Sequence, residues 1–180
     1  MDRNTRDAFR AWSSGYFMDG TQYFGWENIE DGDKAAMQRI DDVLDKSVLK
    51  QGVVVTRLAT ARLIMDNRNA TLKQMKAQKG KIVKCKGNLS TGAASEGLVI
   101  GDSGKKCEYH IHIPPSKGAG MWIGDQRING WGAVQREFIM NRDSFYEVGD
   151  TVYDSKRNKY VTDIYWRGRD KHDYGTSGRV

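Results

Sequence analysis

The sequence predicts an α+β fold, with helices first and mostly antiparallel strands after them. Two observations carry this. Residues 33–49 place apolar side chains at Ala36, Met37, Ile40, Val43 and Leu44, the spacing of a helix that turns one stripe to a core. From Lys81 onward the chain becomes a series of short β-type runs separated by Gly-Asp, Ser-Lys-Gly, Asn-Arg-Asp and Lys-Arg-Asn turn signals.

In chain order, residues 7–14 form a short amphipathic helix on Ala8, Phe9, Ala11 and Trp12. A glycine-punctuated aromatic stretch from Tyr16 to Trp26 follows, expected as a loop packed on the core. The helix at 33–49 takes Asp33 as its N-cap. Gly52 breaks it, and Val53-Val-Val-Thr56 is a β run that ends at Arg57. A second helix is expected over 70–78, with Gly80 closing it in the left-handed C′ position. Strands then follow over 81–89, 108–114, 120–124, 133–140, 144–153 and 159–166. Ser90-Thr91 sits just after the first of them.

Charged residues make up 29% and hydrophobic residues 38% of 180 residues, the balance of a globular domain rather than a disordered chain. No apolar run approaches the ~20 residues of a membrane span, and Met-Asp-Arg-Asn-Thr-Arg does not read as a secretion signal. A cytoplasmic protein with no membrane association, monomeric, is the expectation. Cys85 and Cys107 are too few for a disulfide scaffold and are expected as two reduced thiols. His110, His112 and His172 lack a metal-ligand spacing, so no metal site is expected.

The net charge of +6 is uneven. Between Asn67 and Ser95 there is no acid, while Arg68, Lys73, Lys76, Lys79, Lys81, Lys84 and Lys86 accumulate. A second cationic stretch begins at Lys156. Such patches favour anionic partners, among them nucleic acid or a phosphate-bearing cofactor. No aromatic occurs between Trp26 and Tyr109, so the central run can touch phosphates but carries no base-stacking side chain.

The residues that can do chemistry are few. Gln135-Arg136-Glu137 opens an alternating stretch, and a period of two puts the Gln135 amide and the Glu137 carboxylate on one face. With Arg57 after one β run and Ser90-Thr91 after another, a cation, a hydroxyl and a carboxylate could meet. Each alone reads more simply as a surface residue.

Their order changes that reading. The chain runs from Phe9-Arg-Ala-Trp-Ser-Ser-Gly-Tyr16, through Val-Val-Val-Thr-Arg57 and Gly80-Lys-Ile-Val-Lys-Cys-Lys-Gly-Asn-Leu-Ser-Thr91, to Tyr109-His-Ile-His-Ile-Pro-Pro-Ser-Lys-Gly118 and Gln135-Arg-Glu-Phe-Ile-Met140. It resembles the mono-ADP-ribosyltransferases of the Arg–Ser–Glu class, such as the clostridial Rho-modifying exoenzymes and their phage- and toxin-borne relatives, over residues 7–166. The resemblance implies N-terminal helices followed by two packed, mostly antiparallel sheets around an NAD cleft. It also implies one catalytic domain over 1–172, with 173–180 a disordered tail. NAD is the implied co-substrate.

Residue by residue, the resemblance makes Arg57 a clamp for the pyrophosphate, a role suited to a guanidinium. The Leu58 backbone would meet the nicotinamide amide. Ser90 and Thr91 would hold the glutamate and brace the NAD site. Glu137 would stabilise the cationic sugar formed as nicotinamide leaves, a carboxylate role akin to glycoside hydrolysis. Gln135 would orient the acceptor, and Gln at that position goes with Asn or Gln acceptors, or guanine in DNA-directed members. Trp131 matches an aromatic that recognises the target. The acceptor is expected to be a host protein, with nucleic acid as the alternative. A catalytically inactive cationic binding module is the remaining reading.

Overall fold

The computed structural model describes residues 1–13, 31–93, 107–123 and 137–170. Two helices come first, α1 (Arg3–Ser13) and α2 (Asp31–Lys46). α2 starts before the expected cap at Asp33, which lies inside the first turn; periodicity locates a helix better than its ends. Strands β1 (Val48–Leu49) and β2 (Val53–Ala59) follow, then a 3-10 turn at Ala61–Leu63 and the short helix α3 (Leu72–Lys76). The remaining strands are β3 (Ile82–Cys85), β4 (Leu89–Gly92), β5 (Cys107–Ile113), β6 (Ser116–Lys117), β7 (Gly120–Trp122), β8 (Glu137–Met140), β9 (Ser144–Asp154) and β10 (Lys159–Arg169).

Local chemistry sets several of these bounds. α3 is shorter than the expected 70–78 because a capping box fixes its start: Gln74 N donates to Thr71 Oγ1 at 3.3 Å and Thr71 N to Gln74 Oε1 at 2.8 Å. Gly80 follows with φ +80°, the left-handed geometry a C′ glycine supplies. In the β9–β10 hairpin, Asp154 Oδ1 accepts from Lys156 N and Arg157 N, at 3.0 and 3.2 Å. Asn158 takes φ 51° there, a conformation asparagine tolerates.

Eight strands form one hydrogen-bonded series in the order β3-β9-β10-β5-β2-β4-β8-β7, and β1 pairs β6 separately. Every pairing is antiparallel except β10 with β5. The series divides at β2–β4, which share the single pair Thr56↔Gly92, whereas β2 and β5 are in register from Val53↔Ile113 to Ala59↔Cys107. One core cluster spans the divide, joining Val55, Tyr109, Ile111 and Ile164 to Leu89, Phe138 and Met140. This matches the expected pair of packed, mostly antiparallel sheets.

A second cluster fastens the helices to the far side of β8: Phe9 and Trp12 of α1, Met37, Ile40 and Leu44 of α2, with Ile123 and Ile139. Alternation along β8 therefore sends Phe138 and Met140 between the sheets and Ile139 toward the helices. Among the described residues no helix is long and apolar enough to cross a membrane.

Candidate active site

The site builds up around β4. From the sequence, a strand over 81–89 is expected to end at Leu89, with Ser90-Thr91 just beyond it. Instead β3 ends at Cys85, and Ser90 and Thr91 lie inside a separate strand, β4. That strand survives its polar composition because both edges are used, by β2 at Gly92 and by β8 along its length. Arg57 is likewise not at the end of its strand but within β2, two residues before Ala59.

In the β4–β8 register, Ser90 faces Ile139, Thr91 faces Phe138, and Gly92 faces Glu137. Ser90 and Glu137 thus share a face, and Ser90 Oγ donates to Glu137 Oε1 at 2.5 Å. Thr91 lies on the other face, fully buried, and its Oγ1 donates to the Phe138 carbonyl at 2.7 Å. Thr91 therefore stitches the two strands together, while Ser90 holds the carboxylate. Arg57 reaches the same residue from β2: its Nη1 donates to the Ser90 carbonyl. The cation, the hydroxyl and the acid, 33 and 47 residues apart along the chain, are joined through Ser90.

This group sits in a low-dielectric setting. Arg57 is 7% and Glu137 4% exposed. The Arg57 charge reaches two buried groups, Cys85 and Tyr146. Burial pushes the Cys85 thiol up to about 11, the Arg57 charge opposing it, and burial raises the Tyr146 phenol well above its ordinary value. Both therefore stay neutral at physiological pH, and charge interactions in their midst are stronger than at a wet surface. Cys85 and Cys107 are free thiols; burial also raises Cys107. Burial and the absence of a charge-lowered pKa make Cys85 a packing residue and not a nucleophile.

Leu58 is buried in β2 and pairs Glu108 of β5. Past Thr56, β4 contributes no further pair to β2, so the two sheets part beside Arg57, Leu58 and Ala59. A cation for a pyrophosphate and a carboxylate for a sugar hydroxyl suit a dinucleotide. Gln135 and Trp131, together with the aromatic stretch at 16–26, the start of the strand expected at 133–140 and the tail at 173–180, lie outside the described residues. Arg10 pairs with Asp7 at 3.4 Å on an exposed face of α1.

Sequence reasoning missed what holds β8 in place. Asn141-Arg142-Asp143, read as a turn signal, is a buried clamp. Arg142 Nε donates to Asp41 Oδ2 of α2. Asn141 Nδ2 donates to Asp45 Oδ1 at 2.8 Å and to the Gly118 carbonyl at 3.0 Å. Arg169 of β10 also donates to Asp45. Asp143, at φ 52°, lies 3.4 Å from Lys84. One signal was present: Asp41 is four residues after Met37 and three before Leu44, inside the apolar stripe of α2.

No family sequence pattern matches the chain, and no curated protein matches it. Among solved structures the likeness is extensive, and the fold is that of the ADP-ribosyltransferase toxins and exoenzymes. One is Plx2a, an ADP-ribosyltransferase toxin from Paenibacillus larvae, at 16% identity over 93% of this chain and 88% of that one, with a TM-score of 0.72. The C3 exoenzyme of Clostridium limosum shares 14% identity over 93% and 87%, with a TM-score of 0.73. C3stau2 from S. aureus, solved with NAD, shares 14% over 94% and 89%, with a TM-score of 0.70.

Proposed function

We propose that this chain is an NAD-dependent mono-ADP-ribosyltransferase. The observation that carries the reading is the 2.5 Å hydrogen bond from Ser90 Oγ to a nearly buried Glu137, with Arg57 bound to the same serine. The fold shared with toxins of that activity supports it. NAD is the co-substrate in this reading. The bond between the ribose and the nicotinamide nitrogen breaks, the electron pair leaves with nicotinamide, and positive charge grows on the sugar. The Glu137 carboxylate, fixed by Ser90, accepts from the ribose 2′-hydroxyl and stabilises that charge. Arg57 pairs with the pyrophosphate, and Leu58 contributes its backbone at the nicotinamide end. A nucleophile of the acceptor then bonds the anomeric carbon and releases a proton to solvent.

The acceptor in this proposal is a macromolecule. Gln135, two residues before Glu137 in sequence, points to an Asn or Gln side chain of a protein, with Trp131 as a contact for the partner. The exposed lysines near α3 favour nucleic acid as a second possibility. Labelled NAD incubated with the protein and cell lysate, followed by separate nuclease and protease treatment, assigns the label to one polymer. Glu137→Ala is expected to abolish both transfer and NAD hydrolysis while NAD affinity changes by less than about threefold, the behaviour of a contact made in the transition state. Undiminished hydrolysis by that variant would refute the assignment.

A further inference from the structure

The described surface carries a cationic corner that takes no part in the bond-making and bond-breaking proposed above, and its binding can be judged apart from the choice of acceptor. It lies where α3 turns into β3. Lys73 and Lys76 are on the helix, Lys79 is in the turn and Lys81 immediately precedes the strand; all four are exposed. The corner is a fixed structure. Lys79 N donates to the Lys76 carbonyl at 3.2 Å, Lys81 N to the Gln78 carbonyl at 3.0 Å, and Gly80 N to the Val148 carbonyl of β9 at 2.7 Å. Asp150 meets Lys79 at 2.7 Å. Lys84, which the sequence counts in the same basic run, leaves the group: it turns to Asp170 at 2.5 Å and Asp143 at 3.4 Å.

We propose that this corner binds the phosphodiester backbone of nucleic acid without sequence preference. With Lys79 turned to Asp150, the corner rests on Lys73, Lys76 and Lys81, compact point charges on flexible stems that neutralise phosphates without the fork geometry arginine brings to a carboxylate. Interfaces between proteins are built on aromatic and apolar anchors and are depleted in lysine. Here Ile82 is the one large apolar side chain that is exposed among residues 72–83. No aromatic occurs among residues 72–83, so the run itself supplies contacts to the backbone and no base-stacking side chain. The binding itself is independent of the transfer reaction and is measured without NAD.

The experiment compares three proteins by fluorescence anisotropy with a labelled duplex of arbitrary sequence over a series of salt concentrations. One is the wild type. One is Lys73→Gln/Lys76→Gln/Lys81→Gln. The third is Lys50→Gln/Lys117→Gln/Lys156→Gln, which removes the same charge from exposed positions elsewhere. The corner variant is expected to bind at least about tenfold more weakly, with the slope of log affinity against log salt reduced by about 2 to 3. The control variant is expected within about threefold of wild type. Equal weakening in both variants would mean that net charge alone drives binding, and overturns the proposal. So would a wild type that does not bind the duplex, or competition by polyglutamate as effective as by unlabelled duplex, which would make the partner an acidic protein face. Matching melting temperatures for the three proteins confirm that folding is not what changed.

Discussion

Ser90 is where the backbone and the chemistry of the site meet. Its carbonyl is held by Arg57 and its hydroxyl holds Glu137, so one residue sets both the strand position and the carboxylate orientation. Hydrogen bonds to charged groups are worth about 1.5–3 kcal/mol, which corresponds to roughly 10- to 100-fold in rate if the orientation matters only in the transition state. Ser90→Ala is therefore expected to lower kcat for NAD hydrolysis by that factor, with KM for NAD changed by less than about threefold. Steady-state kinetics on the purified variant decide it. A raised KM with kcat preserved would show that the hydroxyl contacts NAD directly, and that Glu137 is oriented by something else. Thr91, next to it, makes the contrast plain: its hydroxyl is fully buried on the opposite face and bonds the backbone of Phe138, so it belongs to the framework.

Among the elements, β8 depends most on its neighbours. It is four residues long, fully buried, and flanked by β4 and β7. β7 can approach because position 120 is glycine: a Cβ there would stand 2.3 Å from the Ile139 carbonyl and 2.5 Å from Phe138 Cε1. Neither a backbone oxygen nor a fully buried ring can give way cheaply. Gly120→Ala is expected to cost about 1–3 kcal/mol, measured as a lower midpoint in urea. NAD hydrolysis should fall as well, because the forced shift moves the strand that carries Glu137. Unchanged stability would mean that β7 rides away from β8 without loss. The sequence made β8 and the helix of Met37, Ile40 and Leu44 legible because their apolar spacing is a local property. Ser90 and Thr91 within β4 were not legible, since Leu-Ser-Thr-Gly becomes a strand only through pairing with two segments distant in the chain. The order of Arg57, Ser90 and Glu137 could be read from the sequence, but the two hydrogen bonds by which the serine joins the other two could not. The clamp at Asn141-Arg142-Asp143 stayed hidden for the same reason: a turn signal says that the chain reverses, not what the turn grips.

At the scale of the molecule, the helices and sheets are joined by apolar packing at Ile139, by the contacts of Asn141 and Arg169 with Asp45, and by a buried ion pair. Asp41 on α2 is fully buried and meets Arg142, at the end of β8. Burial raises the Asp41 carboxyl above its ordinary 3.8, while the Arg142 charge, and behind it Arg169, pulls the other way. Removing the cation leaves the acid in the same dry place with its main opposing influence gone, so the Asp41 pKa should rise further. Arg142→Met is expected to cost about 3–5 kcal/mol near neutral pH, the penalty of stranding a buried charge. The sign of its pH dependence follows from linkage. With the folded pKa above the unfolded 3.8, the folded state binds more protons across that interval. The variant therefore gains stability as pH falls through the raised folded pKa, and the gain is complete below the unfolded one. Urea midpoints for wild type and variant should thus lie furthest apart around pH 7 to 8 and converge toward pH 4. A gap of constant size across that range would mean that Asp41 does not take up a proton there, and that Arg142 fastens α2 to the sheet by packing and not by charge. Asp41→Leu combined with Arg142→Met separates the two outcomes: with no carboxyl left to strand, the double variant should be more stable than Arg142→Met at pH 7 and should show none of its recovery in acid.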